Sequence, residues 1–144
     1  MSTKSIPNVF IDTDVAFDIV SKREPHYSIS SELVSLVSAG KIIPYISESS
    51  ISKLIYLSEA SKLSQFEKII FQFIDICEVI SAGKKMVLDA LHSKFRDKED
   101  AIQYYTALTN NLDYFVTRNI KDYKPFSSSI RIYSPQEYLD FIEK

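Results

Sequence analysis

The run Asn8-Val9-Phe10-Ile11 is almost wholly apolar and stops at Asp12, which predicts a short buried strand. A helix is predicted over about 14–22, broken by Pro25. Ile29, Leu33, Leu36 and Val37 then recur at helical spacing within about 27–39, and Gly40 stands where a helix C-terminal glycine belongs. Residues 41–46 read as a second strand, with Pro44 limiting its ladder bonds. Ser47 suits the N-cap of a helix carrying Ile51, Leu54 and Ile55. A helix follows over about 64–76, a strand over 77–80 and a helix over 83–92. Asp97 opens another helix through Ala101, Ile102, Tyr105 and Leu108. Residues 114–116 and 130–133 are the last strands, and Ser134-Pro135 starts a C-terminal helix with serine as cap and proline in its first turn. Strands alternating with helices, joined by connections long enough for crossovers, predict an α/β fold with a mainly parallel sheet between helices.

Composition narrows the class. The chain has 144 residues, 45% hydrophobic and 25% charged, which predicts one globular domain over 1–144. No apolar run approaches the roughly 20 residues that span a bilayer, and the N-terminus lacks the apolar stretch of a leader, so a cytoplasmic protein is expected. A single cysteine, Cys77, excludes an internal disulfide and cysteine-rich metal sites. Two histidines, His26 and His92, make no metal motif, and two glycines are too few for a P-loop or a dinucleotide fingerprint. The net charge of −2 argues against a surface coated in base for non-specific DNA binding.

What remains is carboxylate. Asp12 ends the first strand and Asp14 follows it; Asp97 and Asp100 open a later helix; Asn119 and Asp122 follow the strand at 114–116. Sites in open α/β sheets form at the carboxyl ends of strands, so these acids converge if their strands are neighbours. Such a cluster suits Mg²⁺ or Mn²⁺, which prefer oxygen ligands and can activate water against a phosphodiester. Capping is the competing role for Asp14 and Asp97. Asp12 resists that explanation, because an unpaired charge beside the sheet is costly. Tyr104, Tyr105, Tyr114 and Tyr123 suit either base stacking or the core. A basic rim is available from Lys84, Lys85, Lys94, Arg96, Arg118, Lys121 and Lys124.

With these residues in place, the sequence resembles the PIN-domain ribonucleases, among them the toxins of bacterial VapBC-type toxin–antitoxin pairs. The resemblance runs from about Asn8 to Phe141. Val9-Phe10-Ile11-Asp12-Thr13-Asp14-Val15 is similar to the family's apolar strand followed by Asp-Thr-Asn. Asp97-Lys98-Glu99-Asp100-Ala101-Ile102-Gln103 is similar to its Asp-Phe-Glu-Asp-Ala-Leu-Gln helix start. Thr117-Arg118-Asn119-Ile120-Lys121-Asp122-Tyr123 is similar to its Thr-Arg-Asn-x-x-Asp-Phe, and Ser134-Pro135-Gln136-Glu137-Tyr138-Leu139 to its terminal Thr-Pro-Glu-Glu-Phe-Leu. The resemblance implies a three-layer α/β/α fold and Mg²⁺- or Mn²⁺-dependent cleavage of RNA. It further implies a cognate antitoxin and a homodimer. By position it implies Asp12, Asp100 and Asp122 as catalytic, metal-holding acids. Thr13, Asp14, Asp97, Thr117 and Asn119 would support them.

One departure stands out. The family's second acid is a glutamate on the helix after the second strand, and that position here holds Lys53. Glu48 and Glu59 lie about 140° and 120° round the helix from it and do not share its face. Lys53 is left with three options: pairing with Asp12 or Asp100, turning to solvent, or binding RNA phosphate. The resemblance therefore supports two functions, a ribonuclease and an inert PIN fold that binds RNA or a protein. A third, much weaker likeness is to haloacid dehalogenase phosphatases, carried by Asp12-Thr13-Asp14-Val15 with Asp12 as nucleophile; the glycines usual in that family are missing.

Overall fold

The computed structural model describes residues 5–143; the leaderless reading of the N-terminus rests partly on residues 1–4, which lie outside them. Five strands, β1 (Asn8–Ile11), β2 (Ile43–Ser47), β3 (Glu78–Ile80), β4 (Tyr114–Val116) and β5 (Arg131–Tyr133), pair in parallel in the order β3-β2-β1-β4-β5. The chain moves outward from β1 to β3, then restarts at β4 on the opposite side of β1. The order therefore reverses between β1 and β4, and open α/β sheets place their crevice at such a point.

Period-two alternation along β1 divides the core. Val9 and Ile11 join one apolar cluster with α1 (Thr13–Ser21), α2 (His26–Ser38), α3 (Glu48–Ala60) and α4 (Phe66–Asp75), through Val15, Leu33, Leu54 and Phe73. Tyr138 and Leu139 of the last helix, at Pro135–Ile142, belong to the same layer. Phe10 points the other way, stacks on Phe115 at 4.9 Å and packs with α5 (Lys84–His92), α6 (Lys98–Thr109) and α7 (Ile120–Tyr123). With helices on both faces the fold is the three-layer α/β/α arrangement. No helix among the described residues is long and apolar enough to cross a membrane.

Local chemistry accounts for the boundaries. Gly40 takes φ +70°, its N–H donates to Val37 O, and Lys41 N–H donates to Leu36 O. This closing turn absorbs Lys41, so β2 starts at Ile43 rather than at 41. Pro44 is tolerated because it pairs only with Val9 of β1; β3 joins β2 first at Tyr45. The last helix, α8, has Ser134 and Glu137 in a reciprocal capping box with Pro135 in its first turn. Helix α7 and the 3-10 turn Lys124–Phe126 were not expected, since four residues are too few to show a helical period. The tyrosines serve the core: Tyr123 is fully buried, and Tyr104 Oη donates to Phe126 O at 2.6 Å.

Candidate active site

The end of β1 is fastened to β4 by Asp12 N–H, which donates to Val116 O at 3.0 Å. Asp12, rather than Asp14, caps α1: its backbone is extended and its Oδ1 accepts Thr13 N–H at 2.9 Å. The capping position goes to the residue that leaves the strand, and Asp14 falls in the first turn. Thr117, at the end of β4, donates its hydroxyl to Asp12 Oδ2 at 2.8 Å. Asp12 is only 5% exposed, so a carboxylate is buried where the strand order reverses.

The later acids approach from α6. Asp97 caps it, accepting from Glu99 N–H at 2.9 Å and Asp100 N–H at 3.2 Å. Asn119 Nδ2 donates to Asp100 at 3.1 Å and to Asp122 at 2.8 Å, and Asn119 N–H donates to Thr117 Oγ1 at 3.0 Å. Asp12, Thr13, Asp14, Asp97, Asp100 and Asn119 line one cleft of about 890 Å³. Asp122 is exposed and does not line it; Asn119 connects it to Asp100. Among the described residues no three acidic, histidine or cysteine side chains stand close enough to hold an ion as placed.

Lys53 lies in the wall of this cleft. It pairs with neither Asp12 nor Asp100 but with Glu99, Nζ to Oε2 at 2.8 Å, with the two side chains 47% and 73% exposed. Glu99 is one turn-start residue from Asp100 and reaches the ammonium from the open side, where desolvation costs least. The hydrogen bond to Glu99 raises the Lys53 pKa, so the amine stays charged. Helix α3 contributes Ser49, Ser52, Lys53, Tyr56 and Leu57 to the lining and no carboxylate. None of the seven residues of the expected basic rim lines the cleft.

Two buried polar groups escaped the sequence reading. Gln103 accepts from Ser47 Oγ at 2.5 Å, donates to Thr13 Oγ1 at 3.1 Å and to Ser50 Oγ, and reaches Asp12 Oδ1 at 3.4 Å. It ties α3, α6 and the start of α1 together directly behind Asp12. It closes the Asp97–Gln103 helix-start motif, but it was given no role there. Asp18, fully buried, receives Arg118 Nε at 2.7 Å and Nη2 at 3.4 Å, with Arg23 3.8 Å away. Arg118 N–H also donates to Asp14 Oδ2 at 3.2 Å. Arg118 is thus turned away from the cleft and clamps the 117–119 loop onto α1. Arg118→Met is expected to destabilise the fold by about 2–3 kcal/mol, measured by urea unfolding. That is below the usual cost of orphaning a buried charge because Arg118 is 31% exposed and Arg23 stands near. A change under half that size would show that Asp18 is satisfied without it.

The electrostatics of the two inner acids are unusual. Burial, then the charge of Asp14, pushes Asp12 up to about 6. Burial, then the charges of Asp12 and Asp97, pushes Asp100 up to about 6. Burial also raises Asp14, against the pull of Arg118. Cys77 is no rival centre: burial pushes its thiol up to about 12, and its Sγ donates to Phe73 O at 3.2 Å.

Solved structures share this fold. A VapBC2 complex from Rickettsia felis, bound to a DNA fragment from its promoter, superposes with a TM-score of 0.65 at 19% identity, covering 87% of this chain and 96% of that one. A toxin–antitoxin complex from Klebsiella pneumoniae gives 0.63 at 18% identity, covering 88% and 97%. Among curated proteins there is no significant sequence match. The sequence profile of the PIN domain matches residues 8–121, from the first residue of β1 to the second residue of α7. That span takes in every acid of the cleft, and the chain belongs to the PIN domain family.

Proposed function

We propose that the protein is an endoribonuclease dependent on Mg²⁺ or Mn²⁺, acting as the toxin of a cytoplasmic toxin–antitoxin pair with an antitoxin as its partner. The observation that carries this reading is the pair Asp12 and Asp100, both pushed up to about 6 in a cleft whose one lysine is engaged by Glu99. A buried acid and a half-buried one that repel each other are short of positive charge. The donor set around them is all oxygen, which fits a hard divalent cation. Asp12 and Asp100 would hold it, with Asp122 joined to them through Asn119. When bound, such an ion lowers the pKa of water and neutralises phosphate charge. The chain's own part is to hold the acids still: Thr117 and Thr13 N–H fix both oxygens of Asp12, and Asn119 fixes Asp100. The solved neighbours are toxin–antitoxin complexes, which supports the choice of partner.

Lys53 favours a second reading, a PIN fold with little nuclease activity that binds RNA or a protein partner. The two separate in one experiment: structured RNA is incubated with the protein and Mn²⁺, beside a chelator control and Asp12→Asn. Cleavage only by the unchanged protein with Mn²⁺ supports the nuclease. Cleavage that survives the chelator removes the metal from the proposal. Absence of cleavage throughout, with RNA or partner binding retained, selects the second reading.

A further inference from the structure

Tyr123 is fully buried in α7, yet its hydroxyl has no hydrogen-bond partner of normal geometry. The ring is fixed from two sides, 4.6 Å from Phe115 and 5.8 Å from Phe95, centroid to centroid. The hydroxyl faces the carboxylates of Asp12 and Asp100. Tyr123 does not line the cleft, so its hydroxyl meets the acid pair from the buried side. A buried hydroxyl left unpaired costs on the order of 1–3 kcal/mol, so its survival at this point calls for a role. The motif that this segment resembles ends in phenylalanine, and phenylalanine would fill the same apolar space without that cost.

We infer that Tyr123 is a positioning residue of the acid pair, its hydroxyl held by the aromatic core beneath Asp12 and Asp100 so that both carboxylates keep the orientation needed to bind a divalent cation. The inference rests on the metal-dependent reading above. It assigns Tyr123 the place of an outer-shell hydroxyl that no other group engages and that is available to donate to the two acids, on a site whose α3 wall supplies lysine instead of a carboxylate. Such partners typically contribute 10- to 100-fold in metal affinity.

Tyr138 provides a matched control. It too is a fully buried tyrosine with an unpartnered hydroxyl, but it packs on the opposite face of the sheet with Tyr114 and Phe141. Mn²⁺ binding is measured by calorimetric titration on the unchanged protein, Tyr123→Phe, Tyr138→Phe and Asp12→Asn, each first shown to be folded by a thermal melt without metal. Tyr123→Phe is expected to weaken Mn²⁺ binding about tenfold, Tyr138→Phe to leave it unchanged, and Asp12→Asn to abolish it. Equal affinities for Tyr123→Phe and the unchanged protein, with Asp12→Asn still losing the ion, would overturn the role of Tyr123 and leave the metal site standing. No Mn²⁺ binding by the unchanged protein would overturn both. A matching loss in Tyr138→Phe would show a general effect of removing buried hydroxyls and would also overturn the assignment.

Discussion

Asp12→Asn is expected to raise the melting temperature of the metal-free protein by several degrees while removing the Mn²⁺-dependent RNA cleavage proposed above. The two effects have one cause. Folding carries Asp12 from its ordinary pKa of 3.8 to about 6, because the carboxylate leaves water and meets the charge of Asp14. A raised carboxyl pKa means that the folded state holds the proton more tightly than the unfolded chain does. Stability from this group is therefore complete below about pH 4 and falls as pH rises to about 6. A shift of that size corresponds to roughly 3 kcal/mol against the ionised fold at neutral pH. Asparagine carries no charge to desolvate, caps a helix as well as aspartate does, and keeps an oxygen for Thr13 N–H. The Thr117 hydroxyl can turn and accept where it now donates. Melts of the metal-free protein from pH 4 to pH 8 should fall across the lower part of that range, and the fall should shrink in Asp12→Asn. A variant that is less stable at pH 7 would show that the ionised Asp12 is already compensated, and the case for a cation there would fail.

That trade of stability for a charged site explains which parts of the molecule could be read in advance. The two central strands β1 and β4 were legible because each is a short, mostly apolar run with a clear stop. Asp12 was legible because it interrupts such a run at the point where the sheet ends. The neighbours in the sheet were not legible, and convergence of the acids depended on β4 lying beside β1. Asp18 looked like an ordinary polar position on a helix. Its main partner Arg118 is 100 residues away, and that pairing, with Arg23 near, makes burial tolerable. Gln103 gains its meaning only when α6 packs across α3, since four of its contacts lie on Ser47, Ser50, Thr13 and Asp12. For Lys53 the options weighed were Asp12, Asp100, solvent or RNA phosphate, and Glu99, the partner it takes, was not among them. Pairs that satisfy a charge at long range are set by packing, and local pattern does not encode them.

Lys53→Glu is expected to strengthen Mn²⁺ binding by at least about tenfold, or roughly 1.4 kcal/mol, and to raise cleavage with it. Position 53 faces the same cleft as Asp12 and Asp100, so a carboxylate there adds an oxygen ligand of the kind a divalent ion prefers. It also replaces a positive neighbour of the ion by a negative one. The cost without metal is modest. The Lys53–Glu99 pair is largely exposed, and such pairs contribute less than about 1 kcal/mol. Repulsion from Glu99, Asp97 and Asp100 lowers stability a little further, and Mn²⁺ should restore it. Lys53→Gln separates charge from ligation, because it removes the ammonium without supplying a carboxylate. If both variants gain equally, the lysine weakens the site by its charge alone. If only Lys53→Glu gains, the missing ligand is the cause. If Lys53→Gln loses cleavage while Mn²⁺ affinity is unchanged, the ammonium serves the RNA phosphate, and Glu99 holds it at 2.8 Å beside the site until the substrate takes its place.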